Sequence, residues 1–363
     1  MNALAEILRR EVQLEARDLL RWWSEQLPDE RHGGFFGEIG NDGHPVAEAP
    51  KSAILNMRLL WFFSAMGNLQ LAKRAMDYLR NHFLTPESDG VFWRLDHKGV
   101  VIDRTRYAHA QGYAIYALAE YHHATGDDDA LTFARRIQTA IETQFWTGDG
   151  YADCLDGPDD SAKTLGAHLH LLEGYRHLHS IASDAVSEAA LHRALDLFTT
   201  RFAREGMHIP IAFEAGWTSR SGPVSHGHDA EAGWLIWQAT QTLGDPALLE
   251  RTRPLTLSLA QLTLTNRHLI EEWWGQAEAL IAFVNAWQMT GEARWLEAAI
   301  GLWSHIKAQF GARSGHDWSW YTADSGKTGP YQAGLWKCPY HTGRAMLELE
   351  RRLTPSILGC GRN

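Results

Sequence analysis

Apolar positions recur along this chain with helical period in twelve stretches, separated by Gly, Asp or aromatic-rich intervals. The period predicts helices over residues 2–26, 51–66, 68–84, 104–125, 127–145, 163–181, 186–202, 228–243, 246–264, 276–290, 292–310 and 339–353. The first places Leu4, Ile7, Leu8, Val12, Leu19 and Trp22 near one face. The rest fall into pairs: an apolar helix rich in small residues, a short turn, then a more charged helix. The turns read Met66-Gly67-Asn68, Thr125-Gly126-Asp127, Ala182-Ser183-Asp184, Leu243-Gly244-Asp245 and Thr290-Gly291-Glu292. Gly ends a helix well, and an acid opening the next one sits where the helix dipole favours it. Five hairpins result, and the last helix is left to pair with the first.

Six hairpins whose ends meet predict a closed all-α ring, an (α/α)6 barrel. The apolar helices form its inner wall and the charged ones its outer wall. An open α-solenoid is the structural alternative, but it usually lacks long Trp-rich insertions on one side. Here residues 32–38, 90–96 and 207–217 read as short extended pieces, and residues 317–326 read as a hairpin. On a closed ring all of these segments fall on one face, which becomes the functional mouth. No Pro- or Gly-rich linker interrupts the pattern, so residues 1–363 are expected to form a single domain.

Composition narrows the partners. A net charge of −10 argues against nucleic acid and anionic membrane surfaces. No apolar run reaches transmembrane length, and the N-terminal stretch alternates charge with apolar residues, unlike a signal peptide. Cys154, Cys338 and Cys360 are too scattered for a disulfide framework or a CxxC metal site, so a reducing cytoplasm is expected. The 16 Trp exceed what a core of this size asks for. More than half should be core filling, and the remainder offer flat faces on which sugar rings stack.

Candidate chemistry gathers at helix starts. In Leu335-Trp336-Lys337-Cys338-Pro339-Tyr340-His341-Thr342-Gly343-Arg344, Pro339 suits a first helical turn. His341 then faces the N-terminal end, where the macrodipole disfavours imidazolium and keeps the ring available as a base. In residues 163–173, His168 and His170 are roughly 200° apart on a helix. His170 joins a small, polar stripe with Lys163, Gly166, Ala167 and Glu173, so it is the pocket candidate, and His168 is read as structural. His228 and Glu231 lie three apart on one helix face, which suits a carboxylate-oriented imidazole or, equally, a capping arrangement. Glu271-Glu272-Trp273-Trp274 precedes Glu278, an acid one turn inside a helix, and the two Trp read as a sugar platform or as a hydrophobic plug. Arg58, in an apolar helix, needs an anionic or oxygen-rich partner in the lumen. His-x-His occurs twice, but helical geometry splits each pair, and no HExxH or CxxC accompanies them, so no metal is expected. No phosphate-cradling glycine motif is present either, and no cofactor is expected.

Together, Gly33-Gly34-Phe35-Phe36-Gly37 and residues 51–64, 163–173, 227–234, 273–278 and 336–344 resemble the cellobiose 2-epimerases. These belong to the N-acylglucosamine 2-epimerase superfamily, with mannose 2-epimerases and aldose–ketose isomerases. The resemblance runs over residues 33–349 and implies an (α/α)6 barrel and a small-molecule sugar substrate. It implies cofactor-independent epimerisation at C2 of mannose and glucose, or of the reducing-end glucose of cellobiose-type disaccharides, through an enediol. His228 and His341 would be the opposed acid and base, His170 would assist ring opening, and Arg58 would stabilise the enediolate. Glu231 would orient His228, and Trp273 and Trp274 would shape the sugar site, with Glu278, His109 and Trp336 beside the substrate. The chain departs from the pattern at His109-Ala110-Gln111, where Tyr-Gly-Gln is usual, and at Gly166 and Ala167, where Asn and Thr are usual. It is also shorter than the usual cellobiose enzymes, which shifts the expectation towards free mannose and glucose. Three alternatives stand beside this reading: an aldose–ketose isomerase, a glycoside hydrolase drawing two carboxylates from Asp153, Glu231 and Glu278, and a non-catalytic sugar-binding barrel.

Overall fold

A computed structural model describes residues 3–84, 89–157, 162–220 and 222–354. Twelve α-helices run through these residues: α1 (Ala3–Gln26), α2 (Ala53–Ala65), α3 (Leu69–Tyr78), α4 (Ala108–Thr125), α5 (Asp128–Ala140), α6 (Leu165–Ile181), α7 (Ala185–Leu197), α8 (His226–Leu243), α9 (Pro246–Asn266), α10 (Trp273–Thr290), α11 (Ala293–Gln309) and α12 (Pro339–Leu353). They pack as an (α/α)6 barrel. The inner helices form a closed ring in the order α2, α4, α6, α8, α10, α12 and back to α2. Each is backed by an outer helix, α3, α5, α7, α9, α11 and α1 respectively. The terminal pairing of α1 with α12 is therefore what closes the outer wall.

The two walls differ for a sequence reason. Residues 53–64 of α2 are buried on every side, as a helix that is apolar all round must be. Outer helices such as α3 and α5 bury one stripe only. The hairpin turns behave as their residues dictate. Gly126 and Gly291 end α4 and α10 in the left-handed conformation, and Asp127 and Asp184 cap α5 and α7 with their side chains. Helices α3, α5 and α7 each finish in a π-helical turn, at Leu79–Phe83, Ile141–Phe145 and Phe198–Phe202, which periodicity did not reveal.

Short antiparallel ladders pin the entrances to three inner helices. Strand β1 (Lys51–Ser52) pairs with β2 (Arg94–Leu95), which pairs with β3 (Val101–Asp103). Strand β4 (Arg106–Tyr107) pairs with β5 (Cys154–Leu155), and β6 (Lys163–Thr164) with β7 (Ala212–Phe213). Helices α2, α4 and α6 begin at once after β1, β4 and β6. These ladders explain why the predicted helix starts at 51, 104 and 163 came too early: the first residues are extended and belong to the rim. The expected hairpin over 317–326 is absent. Tyr321 instead bridges to Glu272, ahead of α10, and Ala323–Ser325 forms a 3-10 turn, so the segment takes its partner from another hairpin. No helix among the described residues is long and apolar enough to cross a membrane.

Candidate active site

The chemistry-bearing side chains come from the first halves of the inner helices, so they meet at one end of the lumen. His228 is the third residue of α8 and His341 the third of α12. Trp274, near the start of α10, touches both: its ring centroid lies 4.8 Å from that of His228 and 5.5 Å from that of His341. The backbone makes room for it. A Cβ on Gly227 would meet the Trp274 ring at 2.7 Å and the Gly275 Cα at 3.1 Å, so α8 and α10 approach through two glycines with the indole against them. Ser225, at the N-cap position of α8, has its hydroxyl 2.7 Å from His228 Nδ1. His341 Nδ1 lies 2.7 Å from Glu278 Oε1. Burial depresses the basicity of both rings, of His341 most strongly, so both are neutral near pH 7. With each Nδ1 engaged, Nε2 is the nitrogen left to exchange a proton with a ligand.

Beneath them lies a buried ion cluster centred on Arg344. Its Nη2 donates to Glu231 at 2.5 Å and to Glu278 at 2.6 Å, and its Nη1 donates to Glu173 and to the Tyr340 oxygen. Trp234 Nε1 donates to the other Glu278 oxygen at 2.9 Å. Three carboxylates from α6, α8 and α10 thus share one guanidinium from α12. Burial pushes Glu173 upward, yet Arg344, His170 and Tyr340 hold it well below the ordinary carboxylate range. For Glu278 burial wins over Arg344 and the carboxyl is raised. Glu278 therefore serves two partners, the His341 ring above and the guanidinium below.

A third group lies across the lumen. Arg58 donates through Nη2 to the Tyr113 oxygen and through Nη1 to Cys338 Sγ at 3.3 Å, and it lies over the faces of Tyr113 and Tyr340. Tyr113 Oη is 2.7 Å from His170 Nε2, and His170 Nδ1 is 3.4 Å from Glu173 Oε2. Burial pushes the Tyr113 hydroxyl up, so it stays a phenol. The run Arg58, Tyr113, His170, Glu173 is a continuous donor–acceptor chain ending at the Arg344 cluster. The oxygen partner that Arg58 required is a phenol.

Several expectations shift. Glu231 does not pair with His228; its carboxylate goes to Arg344, and Ser225 holds the imidazole. Trp273 packs on Trp320 at 4.5 Å and under the Lys337 ammonium at 4.7 Å, so of the two only Trp274 contacts both rings. Adjacent residues at a helix start point about 100° apart, and the tertiary phase of α10 selects the second. His109 lies at the rim within an aromatic group with Trp93 at 5.4 Å and Trp336 at 6.3 Å. Burial lowers it to about 3. Trp336 is 46% exposed, an open indole at the mouth. His168 is bonded to the Thr164 carbonyl and the Tyr151 amide.

Sequence reasoning gave no catalytic or binding role to Ser225, Tyr113, Glu173, Tyr340 or Arg344; it reads Ser225 only as a candidate cap and Glu173 only as part of the polar stripe of His170. One signal was available: Arg344 follows His341 by three and so lies on the same helix face. Among the described residues, two donor groups also have metal-like spacing, His208 with His226 and Asp229, and Glu231 with Glu278 and His341. The second already holds the Arg344 cation.

Known proteins share this architecture. The family model described as N-acylglucosamine 2-epimerase (GlcNAc 2-epimerase) matches residues 34–269. A cellobiose 2-epimerase of Bacteroides fragilis is 33% identical, over 95% of this chain and 99% of its own length. The structure of a cellobiose 2-epimerase from Spirochaeta thermophila superposes with a TM-score of 0.88 at 29% identity, covering 97% of this chain and 99% of that one. A D-mannose isomerase superposes with a TM-score of 0.81 at 15% identity, over 94% and 97% of the two chains, a likeness of fold alone. With the family matched over more than half of its length and a one-third-identical relative covering nearly all of it, the chain belongs to the N-acylglucosamine 2-epimerase family of carbohydrate epimerases, which are isomerases.

Proposed function

We propose that the protein inverts aldoses at C2 by passing a proton between His228 and His341. Its substrates are mannose and glucose, and the reducing-end glucose of cellobiose-type disaccharides. One observation carries this reading: two neutral imidazoles, the buried His341 and the half-buried His228, both contact a single indole, each with Nδ1 engaged and Nε2 free for a ligand. The open-chain sugar lies between the rings. One imidazole takes the C2 proton, the C–H electron pair forms the C1–C2 double bond, and the carbonyl pair moves to O1 as an enediolate. The opposite ring, which takes up a proton from solvent as the sugar binds, delivers it to the other face of C2; the double-bond pair forms the new C–H bond and the O1 pair restores the carbonyl. The first ring then returns its proton to solvent, so both rings are neutral again between turnovers, and their roles exchange with the direction of reaction.

Arg58 supplies charge where O1 becomes anionic, which favours the transition state over the ground state. His170, bonded to Tyr113, exchanges the proton that ring opening requires at the ring oxygen and the anomeric hydroxyl. Trp274 shapes the space between the bases, and the exposed Trp336 beside His109 offers a face to a second sugar ring. Glu278 orients His341. The hydrolase alternative is weakened by the occupied carboxylates: Glu231 and Glu278 are committed to Arg344, and Asp153 accepts from the Thr164 hydroxyl at 2.5 Å.

The test is turnover of mannose, glucose and cellobiose separately in deuterated water, followed by NMR. The expected result is the C2 epimer carrying deuterium at C2. Ketose as the main product would establish the aldose–ketose isomerase instead, because the same enediol is then protonated at C1. Full activity in His228→Ala or His341→Ala would remove the two-base mechanism.

A further inference from the structure

The His226-Gly227-His228 pair is split, as helix geometry requires, and the half not used for chemistry has found other company. The ring of His226 lies 5.0 Å from that of His208, on the segment ahead of β7, at an interplanar angle of 70°. Asp229, one residue beyond His228, completes the group, and its side chain is fully buried. Its Oδ1 accepts the Ile209 amide at 2.9 Å. Its Oδ2 lies 2.6 Å from His208 Nδ1 and 3.8 Å from His226 Nδ1. Among the described residues, these imidazoles are the ion partners of Asp229, and no Lys or Arg joins them. The His226 Nδ1 atom is itself buried and makes no hydrogen bond. The His208 side chain is 30% exposed, so the group opens to solvent on one side.

A buried carboxylate calls for a cation. The His208 contact answers that only in part, since it leaves the neighbouring Nδ1 of His226 without a partner. Two imidazole nitrogens and one carboxylate oxygen form a donor set for borderline divalent ions such as Zn²⁺; Ca²⁺ and Mg²⁺ prefer oxygen. Bonds of about 2.0–2.1 Å in a tetrahedron space the donors roughly 3.3 Å apart. The observed separations of 2.6 and 3.8 Å straddle that value, so small rotations of the side chains equalise them. The Ile209 amide fixes the carboxylate from behind, as the partner of a metal-bound carboxylate does.

We propose that His208, His226 and Asp229 form a binding site for a divalent first-row transition metal ion, with water completing the coordination on the exposed side. Binding through Nδ1 requires any His208 proton there to move to Nε2 or to solvent. The ion takes no part in the sugar chemistry. It ties the segment before β7 to the first turn of α8, the turn that presents His228.

Titration of the intact protein with Co²⁺ tests the site, because four-coordinate Co²⁺ absorbs visibly and reports its own ligands. The expected result is one saturable equivalent with visible bands, weakened at least tenfold in affinity in both His208→Gln and His226→Gln. Both positions are partly exposed, and circular dichroism without metal checks that each variant is folded. A second readout is the melting temperature, which Zn²⁺ raises in the wild type and leaves unchanged in both variants. The absence of a saturable band in the wild type, or wild-type affinity in either variant, overturns the assignment.

Discussion

Replacing Arg344 with Met removes the one cation shared by Glu173, Glu231 and Glu278 while keeping most of the side-chain volume. All four groups are at most 1% exposed, so water cannot take over the lost charge. Breaking a buried ion pair from one side costs about 3–5 kcal/mol. The protein can limit that cost by binding a proton. Protonating one glutamate at pH 7, roughly 2.7 units above its ordinary value, costs about 3.7 kcal/mol, and at pH 5 about 1 kcal/mol. Glu278, already raised by burial, takes that proton first. Arg344→Met is therefore expected to lose about 4 kcal/mol of stability at pH 7 and markedly less at pH 5. Urea unfolding of both proteins followed by circular dichroism at the two pH values measures this. A loss under about 1 kcal/mol at pH 7, or an equal loss at both pH values, refutes the claim that the three carboxylates depend on Arg344 for their charge.

Two further outcomes follow from the site. His228 and His341 bind their protons below the ordinary histidine value of 6.5 because burial penalises imidazolium. The base must be neutral, so the acidic limb of kcat/KM against pH should have its midpoint below 6.5; a midpoint of that limb at or above 6.5 contradicts burial as the dominant influence. Trp336→Ala removes a half-exposed indole, so it should leave the melting temperature unchanged and mannose kinetics within a factor of two. It should raise KM for cellobiose by roughly 3–10-fold, the worth of one stacked ring at about 0.5–1.5 kcal/mol; equal effects on both sugars would place the indole outside the second sugar's path.

The helices, the hairpin turns and the closed ring were legible because they rest on local rules. Apolar residues at 3.6-residue spacing, Gly126 and Gly291 at left-handed caps, and Asp127 and Asp184 at helix starts act over distances of a few residues. His170, His228, His341 and Arg58 were legible for a related reason: a titratable or charged residue in an apolar inner helix is costly to bury without a polar partner, and the lumen supplies one. The pairings were another matter. Glu231 lies three residues from His228 on the same helix, yet it bonds Arg344, which is 113 residues away in sequence. Trp273 and Trp274 are chemically identical neighbours, and only the rotation of α10 against α8, set by the close approach of Gly227 and Gly275, decides which one contacts both histidines. The Asp229 carboxylate likewise reaches His208 from a loop the chain enters before the helix begins. Sequence determined which side chains each helix could deliver. The closed ring decided which of them touch, because a contact across a lumen depends on the angular phase of six helices at once, and no local pattern encodes that.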